Sequence, residues 1–433
     1  MNPAAASALR QTSEAPGPVR LLEAWNATGR PAGLTEHLER HGPPPGVGAS
    51  LIEAVEQAGL TGRGGAGFPT GRKLRAVAGR RRRAVVVANG MESEPASRKD
   101  QTLLAVAPHL VLDGAVLAAQ AVGAGKVHLC VPRTRTGQLR ELASAIGERR
   151  AAEMDSVHVV LHALPHGYVT SESTALVHWL NGGTARPLGP HPRTYEKGVQ
   201  GRPTLVQNVE TLAHLALVAR HGPVWFREAG TAETPGTTLV TVAGAVENPG
   251  VLEVEAGIMI EEILRCAGGP AEPLQAVLLG GFAGTWLPAD RAVGLPFSRS
   301  GLAPAGAAPG AGVVIALPQD ACGLAATARM LAYLAANGAE QCGPCRFGLP
   351  AVAADFTALA EGHADAELLT RLRRRVDLLP GRGACGHPDG AARLASSALT
   401  AFAGDVEHHR HHGHCQRPPV LPVPCETQMK EWR

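Results

Sequence analysis

A glycine-rich stretch near the start of the chain constrains its fold most strongly, because five of the ten residues from Gly62 to Gly71 are glycine. Dense glycine lets a backbone adopt positive φ angles, and it lets consecutive amides form a concave binding site for an anion. The cations Arg63 and Lys73 add donors that suit a phosphate group. A flexible linker is a poor alternative, because linkers rarely carry Phe-Pro-Thr between cations. No strand precedes the stretch at the distance that a Rossmann motif requires, so we predict a different phosphate-binding loop.

The segments around this loop predict an α/β layer with a parallel sheet, because short β-branched runs alternate with helical patterns. The helix before the loop spans 50–60 and is expected to have Ser50 as its N-cap. Crossovers between parallel strands are right-handed, which leaves few topologies. The predicted strands are 82–89, 126–132 and 157–164, and the predicted helices between them are 108–124 and 136–152.

The pattern changes near residue 230, and the rest of the chain divides into further parts. A small α+β unit is predicted first, with strands at 237–244, 250–255 and 276–282 and a helix at 257–266. The segment 310–317 is either its closing strand or the link to the next part. Four helices follow, at 321–336, 349–361, 365–379 and 390–403. We therefore predict an arm (1–49) that wraps a later domain, an α/β domain (50–229), the α+β unit (230–318), a helical domain (319–405) and a poorly ordered His- and Pro-rich tail (406–433).

Composition excludes several classes of protein. The net charge of +3 and the aromatic content of 3% argue against a nucleic-acid binder. No apolar run approaches the roughly 18 residues of a membrane span, and the longest candidate contains Asp113. The N-terminus lacks the apolar core of an export signal, so a cytoplasmic location is expected, with the eight cysteines reduced. Clustered thiols in such a chain indicate metal or cluster ligands rather than disulfides.

The sequence LTGRGGAGFPTGRK, from Leu60 to Lys73, resembles the family of flavin- and NADH-binding subunits of respiratory complex I (NADH:quinone oxidoreductase) and their relatives in soluble hydrogenases and formate dehydrogenases. The resemblance runs from about residue 34 to about residue 402, and its motifs occur in the family's order. The other motifs that carry it are 89–95 (NGMESEP), 108–110 (PHL), 167–176 (GYVTSESTAL), 201–204 (GRPT) and 207–212 (QNVETL).

The resemblance implies a flavin-binding α/β sandwich, a small β-grasp domain within 237–288 and a C-terminal four-helix iron–sulfur bundle. It also implies an FMN site, where the phosphate requires cations and backbone donors and the flavin ring requires fixed polar groups. Without the family, Glu92 and Glu94 would be interpreted as parts of a solvated turn, because carboxylates are mostly exposed. The residues implied for the FMN site are Gly62, Arg63, Gly64, Gly65, Ala66, Gly67, Lys73, Asn89, Glu92, Tyr168, Glu172 and Asn208.

The resemblance further implies that Phe68 and Glu94 act in NADH oxidation, with the Phe68 ring stacking on the adenine or the nicotinamide. Several positions depart from the family here. Ala76 replaces an aromatic residue, and a small side chain cannot restore a stacking contact. The residues implied for the flavin site therefore match the family pattern more closely than those implied for the nicotinamide site. The further departures are Met91, Ser171, Ser173, Leu188 and His191.

Three cysteines match ligands of the family's [4Fe–4S] cluster, namely Cys342, Cys345 and the distant Cys385. Soft thiolates suit iron–sulfur clusters, and a tight turn can place a C-x-x-C pair around one cluster. Ala339 stands at the family's first ligand position, so the cluster is expected to be labile or absent. A redox dithiol and a zinc half-site are the alternatives for the pair. The open candidates for a fourth ligand are water, Glu340, His387 and Cys322.

Other features carry weaker indications. The tail segment 408–415 (HHRHHGHC) could chelate a metal, although such tails more often bind metals adventitiously. The basic runs 80–83 and 371–375 are typical of solvated faces, or they dock an acidic ferredoxin. Cys130 and Cys266 are expected to fill the core.

These observations predict an electron-transfer flavoprotein, which uses FMN to take a hydride from NADH and passes single electrons to a cluster on the three cysteines. The expected acceptor is a ferredoxin-like or other iron–sulfur subunit. Neither nucleic acid nor a membrane span is expected, and partner subunits would hold the protein peripherally at a membrane. Two alternatives stay open: an FMN and iron–sulfur carrier that no longer uses NADH, and a non-catalytic assembly subunit.

Overall fold

The computed structural model of the protein describes residues 17–363, 365–418 and 431–433. The first part of the chain contains a four-stranded parallel sheet with strand order β3-β2-β1-β4. The strands are β1 (Val85–Asn89), β2 (Lys126–Pro132), β3 (His158–Leu164) and β4 (Thr204–Asn208). The helices of this part are α1 (Glu23–Thr28), α2 (Leu34–His41), α3 (Ser50–Ala58), α4 (Thr70–Ala78), α5 (Lys99–Val106), α6 (Pro108–Ala121), α7 (Thr136–Ala151), α8 (Ser173–Leu180) and α9 (Val209–Arg227).

The central strand β1 explains where a site can form in this sheet. Val86 and Val87 pack into two different hydrophobic clusters, as expected when both faces of a parallel strand are covered. The chain passes from β1 outward through β2 to β3 and then places β4 on the other side of β1. Ligand crevices form at the carboxyl ends of the strands where the order reverses in this way. Asn89 and Asn208 are register partners at these ends.

The second part of the chain is a mixed sheet of five strands in the order β6-β5-β9-β7-β8. Strand β5 pairs in parallel with β9, and the other pairings are antiparallel. The sequence analysis missed β8, because this strand has only four residues and leads directly into a helix. The elements are β5 (Thr237–Gly244), β6 (Gly250–Glu255), α10 (Ile260–Cys266), β7 (Leu274–Leu279), β8 (Thr285–Pro288), α11 (Ala289–Ala292), α12 (Arg299–Leu302) and β9 (Val313–Pro318).

Five helices of the described chain follow and pack around a core that includes Phe356 and Phe402. Four of them match the predicted helices, apart from differences at their ends. The fifth, α17, corrects the prediction of a poorly ordered tail for residues 406–412, since Val406 and His409 are buried in it. Residues 419–430 of the predicted tail lie outside the described residues. The helices are α13 (Gly323–Ala336), α14 (Leu349–Ala360), α15 (Leu368–Asp377), α16 (His387–Ala401) and α17 (Ala403–His412), and a π-helical turn (Pro344–Gly348) precedes α14.

Three local predictions need correction. Ser50 is the first residue of α3 rather than its N-cap, and its hydroxyl donates to the carbonyl of Val47. Strand β1 begins only at Val85, because the arginines before it are exposed. Helix α6 ends at Ala121, and soon afterwards Gly123 adopts a left-handed φ of 68° that a helix cannot continue through.

The segment predicted as an arm contacts both of the sheet-containing parts. The backbone amides of Leu21 and Leu22 donate to the carboxylate of Glu253 in β6 over 2.8 and 2.9 Å. The guanidinium of Arg20 donates to the backbone carbonyls of Trp225 and Phe226 in α9. Residues 20–22 therefore connect the last helix of the first part to the second sheet.

The helices give no single membrane span. Within the described ranges, no one helix is both long and apolar enough to cross a membrane. Helices α5 and α6 are long and apolar enough for a membrane span only when they are counted as one segment, and they are bent by 98° relative to each other. Most residues of both helices are buried inside the protein.

A buried ionic group fixes α2, α6, α7 and α9 to one another. Asp113 in α6 is fully buried, and its carboxylate lies 2.8 Å from Nε2 of His37 and 2.7 Å from a guanidinium nitrogen of Arg149. Arg220 in α9 contacts the same carboxylate. Burial opposes the ionisation of Asp113, but His37 and the two arginines lower its pKa to about 2. The carboxylate is therefore ionised and paired. Removing it would leave the buried Arg220 without a carboxylate partner and Arg149 with Asp155 alone.

We expect Asp113→Asn to destabilise the protein by about 3 to 5 kcal/mol, because the buried Arg220 loses its carboxylate partner and the buried Arg149 keeps only Asp155. The contribution of Asp113 is present above its ordinary pKa of 3.8 and is lost as the pH falls toward about 2. Urea unfolding at several pH values measures both effects. The matched control is Asp365→Asn, since the Asp365 side chain is 60% exposed and its loss should cost less than about 1 kcal/mol. Equal stability of D113N and wild type would contradict this interpretation.

Candidate functional site

A cavity of about 400 Å³ lies at the carboxyl ends of β1 and β4. The glycine-rich loop between α3 and α4 forms part of its wall, and the residues that begin α8 and α16 form further parts. Most of the residues predicted for the FMN site meet in this one cavity. They are Gly62, Gly64, Ala66, Gly67, Lys73, Asn89, Tyr168, Glu172 and Asn208.

The three remaining predicted residues line an adjoining cavity of about 310 Å³. These residues are Arg63, Gly65 and Glu92, and Glu94 lines the same space. The two cavities share lining residues and are therefore neighbours. The shared residues are Gly64, Asn89, Tyr168, Ser171, Asn208 and Ala283.

The glycine-rich loop is closed by its own hydrogen bonds. The amide of Gly62 donates to the carbonyl of Phe68 over 2.9 Å, and the amide of Arg63 donates to Oγ1 of Thr211 over 2.8 Å. Gly65 and Gly67 adopt φ angles of 103° and 61°, which other residues rarely adopt. The loop is thus a defined turn against the start of α9, and its conformation requires glycine at positions 65 and 67.

The two cations predicted for phosphate binding have different positions. Lys73 lines the larger cavity and donates to the carbonyl of Val206, and burial lowers the pKa of its amine to about 8. The guanidinium of Arg63 instead donates to the carbonyls of Pro235 and Thr237. The side chain of Arg63 therefore fastens the loop to the second sheet, and Arg63 is not part of the wall of the larger cavity.

Two helices begin at the wall of the larger cavity, and each is capped by a predicted site residue. The amide oxygen of Asn208 accepts hydrogen bonds from the amides of Glu210 and Thr211 at the start of α9. The carboxylate of Glu172 accepts from Thr174 and Ala175 at the start of α8. Helix N-termini carry partial positive charge, so the start of α9, which is capped by a neutral amide, favours a negatively charged ligand at this wall. At the start of α8 the acidic side chain of Glu172 already occupies the free amides.

The interpretation of Glu92 and Glu94 as parts of a solvated turn is wrong, because both side chains are engaged inside the protein. Burial opposes the ionisation of Glu92, but Arg135 and hydrogen bonds from Ser97 and Asp100 lower its pKa. Burial raises the pKa of Glu94 to about 7, although Glu94 accepts hydrogen bonds over 3.1 Å from the amide of Phe282 and the hydroxyl of Tyr168.

Sequence reasoning missed a buried ionic group behind this site. The ammonium of Lys99 lies 2.6 Å from the carboxylate of Asp100 and 2.8 Å from that of Glu210. Asp100 in turn accepts a hydrogen bond of 2.7 Å from the side-chain amide of Asn208. The adjacent Lys-Asp pair at the start of a helix was the available signal, but charges at a helix start are normally exposed.

Phe68, which is predicted to contact NADH, lies at the solvent-exposed edge of the larger cavity. It lines this cavity with 50% of its surface exposed, and the guanidinium of Arg72 lies 5.7 Å from the centre of its ring. An aromatic face at the edge of a cavity is available to a planar ligand.

The three predicted cluster ligands lie beside the larger cavity. Cys385 is part of its wall, together with His387 at the start of α16. Cys345 is buried in the π-helical turn, and its pKa is raised to about 12 by burial and by the nearby Cys342 and Cys385. The three cysteines are therefore neighbours, and Cys385 is the one that lines the larger cavity.

Two of the candidates for a fourth ligand can be compared. A Cβ atom built on Gly338, next to the buried Ala339, would lie 3.3 Å from Sγ of Cys345 and 3.6 Å from Nε2 of His387. Cys322 precedes α13, whereas this loop follows it, and a helix of that length separates its ends by about 21 Å. Cys322 is therefore excluded as a ligand, and His387 lies close to the thiols.

Three family models match successive parts of the chain. The family described as "Nuo51 FMN-binding domain" matches residues 55–217. The "SLBB domain" matches residues 239–281, and the "NADH-ubiquinone oxidoreductase-F iron-sulfur binding region" matches residues 325–409. The order of these matches follows the order of the parallel sheet, the mixed sheet and the helical part.

Whole proteins are similar over most of the chain. The F subunit of NADH-quinone oxidoreductase from Streptomyces coelicolor is 30% identical over 371 residues, which cover 83% of this chain and 82% of that protein. The corresponding protein of Escherichia coli is 29% identical over 373 residues, which cover 82% of this chain and 83% of that protein. The crystal structure of an NAD⁺-reducing [NiFe]-hydrogenase in the air-oxidized state superposes with a TM-score of 0.79 at 30% identity, covering 90% of this chain and 67% of that chain.

We expect Glu94→Gln to change the pH dependence of stability. Wild type should lose stability relative to E94Q as the pH rises from about 4.5 to about 7, because the folded state holds a proton that the unfolded state releases. The predicted loss is about 3 kcal/mol, since each pKa unit corresponds to about 1.4 kcal/mol. Chemical unfolding across this range measures it, with the exposed Glu247→Gln as control. A stability difference that does not vary with pH would show that Glu94 does not titrate in this way.

Proposed function

This chain belongs to the family of NADH-quinone oxidoreductase F subunits, and we propose from that membership that it oxidises NADH and passes electrons to a partner iron–sulfur protein. It does so with FMN in the larger cavity and an iron–sulfur cluster on Cys342, Cys345 and Cys385. We further propose that 50–229 form the FMN- and NADH-binding domain, 230–318 a β-grasp domain and 319–412 a helical iron–sulfur domain that includes α17. The arm (1–49) precedes them.

One observation carries this proposal: the glycine-rich loop and Cys385 line the same cavity. A volume of about 400 Å³ is within the range of sites for ligands of cofactor size. When bound, FMN converts two-electron donation into single-electron transfer, and a cluster on the adjacent thiols carries the single electrons. Because Cys385 lies in the wall of the proposed flavin site, electrons can pass from the flavin to a cluster on the three cysteines without a further carrier between them.

The residues of the cavity fit the chemistry of FMN. Lys73, the loop amides and the start of α9 supply positive potential for the phosphate. Asn89 is held by a hydrogen bond of 3.0 Å to the carbonyl of Ser171, so its position on the cavity wall is fixed. Tyr168 is fixed by Glu94 in the same way. These fixed polar groups orient the flavin ring, and Phe68 receives the NADH.

The thiol group fits an iron–sulfur cluster with three thiolate ligands. Cys342, Cys345 and Cys385 lie near one another, and their thiolates are the soft donors that such a cluster prefers. Ala339 stands where the family has the remaining cysteine ligand, and its methyl group cannot bind iron. We propose that this difference makes the cluster labile, with water completing its coordination, because Nε2 of His387 already donates to the carbonyl of Leu334 over 2.8 Å.

The acceptor is proposed to be an iron–sulfur subunit that recognises a basic surface. Residues 80–83 are exposed arginines near the start of β1. In the second basic run, Arg371 and Arg375 both pair with Asp355, which leaves Arg373 and Arg374 as its exposed cations. Clustered exposed cations steer an acidic partner.

The proposal is tested by mixing the FMN-loaded protein with NADH in an anaerobic stopped-flow instrument. Rapid bleaching of the flavin is expected. Phe68→Ala should raise the apparent Kd for NADH roughly tenfold while FMN stays bound, because a stacking contact is lost. Leu378→Ala, another exposed apolar residue, is the control and should leave the Kd unchanged. No bleaching at any NADH concentration would identify the protein as a carrier that does not use NADH, and absence of both flavin and iron would indicate an assembly subunit.

We expect Ala339→Cys to increase the iron content per chain after anaerobic reconstitution and to slow the loss of the cluster in air. The substitution restores the spacing of a third cysteine before Cys342 and Cys345, and thus a fourth thiolate with Cys385. Ala328→Cys is the matched control, because it adds a buried thiol within α13, away from position 339. Iron assays and visible absorption spectra follow the cluster. An A339C protein with the iron content and lifetime of wild type would contradict the proposed role of this position.

A further inference from the structure

Three metal-ligating side chains meet at the C-terminal end of the described helical part, away from the cavity. Cys322 precedes α13, His409 lies in α17, and Cys415 follows α17. Their ligand atoms all lie within 4.8 Å of one another. Sγ of Cys322 is 3.8 Å from Nε2 of His409. In the part of the chain that the structure describes, no other three His, Cys, Asp or Glu side chains come together in this way.

The separation of these atoms is that of ligands on one tetrahedral zinc ion. Zinc binds thiolate sulfur at about 2.3 Å and imidazole nitrogen at about 2.0 to 2.1 Å. Two such ligands at a tetrahedral angle are therefore about 3.6 Å apart, and two sulfurs are about 3.8 Å apart. The distance of 3.8 Å between Cys322 and His409 requires little adjustment to reach this geometry.

The surroundings of His409 leave the correct nitrogen for a metal. Its Nδ1 lies 3.2 Å from the carbonyl of Leu359, and its Nε2 accepts a hydrogen bond from the amide of Cys415. The proton of the neutral ring is therefore on Nδ1. The one lone pair of Nε2 lies beside Sγ of Cys322, and a metal would take it in place of the amide of Cys415. A histidine ligand commonly has its other nitrogen bonded to a carbonyl in this way.

Burial distinguishes this group from the histidine-rich sequence around it. Cys322 and His409 are each 1% exposed, and Cys415 is partly buried. The neighbouring histidines of the same segment are exposed, namely His408, His411, His412 and His414. Adventitious chelation by a polyhistidine segment would use the exposed rings, whereas this group uses the buried ring with two thiols.

We propose that Cys322, His409 and Cys415 bind a structural zinc ion, with water as the fourth ligand on the partly exposed side of Cys415. The ion would fasten the segment after α17 to the start of α13. The same contact is supported by a backbone hydrogen bond of 3.1 Å from the amide of Cys322 to the carbonyl of Pro418. This site is separated by the length of α13 from the thiol group of Cys342, Cys345 and Cys385, so it does not depend on the function proposed above.

Metal analysis of the full-length protein tests this proposal. The protein is produced with added zinc, reconstituted with iron and purified under reducing, anaerobic conditions. Wild type should retain one zinc ion per chain by mass spectrometry of its elements. Cys322→Ser and His409→Gln should each lose that ion, whereas His411→Gln and Cys342→Ser should keep it. X-ray absorption at the zinc edge should show two sulfur ligands and at least one imidazole nitrogen.

Cobalt substitution in wild type keeps the test valid if a variant fails to fold. Replacement of the zinc by Co²⁺ should produce the intense absorption of tetrahedral cobalt with thiolate ligands, in proportion to the cobalt bound. The proposal is overturned if wild type holds no zinc, if the zinc is lost in H411Q rather than H409Q, or if C342S removes it. A disulfide between Cys322 and Cys415 in the purified reduced protein would also overturn it.

Discussion

The closure of the glycine-rich loop against α9 is the contact on which the rest of the site depends. The amide of Arg63 bonds to Thr211, and the Arg63 side chain bonds to carbonyls of the second sheet. One residue thus sets the loop's position relative to α9 and to β5. Because Gly65 and Gly67 adopt left-handed φ angles within this closed turn, the amides and Lys73 are presented to the cavity in a fixed arrangement.

Buried charges hold the surrounding elements in place. Lys99 joins Asp100 to Glu210, and Asn208 bonds to Asp100 while it caps α9. Glu210 also accepts a hydrogen bond of 2.9 Å from the amide of Leu239 in β5, which extends the network into the second sheet. Buried ion pairs give little net stability when they are complete, but the loss of one member is costly. The network therefore fixes geometry more than it adds free energy, and a cofactor site requires fixed geometry.

The sequence was sufficient for the features that depend on local patterns and on family motifs. The alternation of strands and helices predicted three of the four parallel strands, and the motifs predicted which segments meet at the cavity. What the sequence did not predict depended on contacts between distant residues. The burial of Glu94, the turn of Arg63 toward Pro235 and Thr237, and the burial of His409 in α17 are set by packing partners far along the chain. No local pattern encodes them, because the same residue types are usually exposed.

The central claim, that the cavity beside Cys385 is the FMN site, is tested most directly by a crystal structure of the protein grown with FMN. Density for the phosphate is expected beside Nζ of Lys73 and the amides of the glycine-rich loop, with the flavin ring reaching toward Tyr168 and Cys385. An empty cavity at saturating FMN, or flavin density at another place on the protein, would contradict the claim.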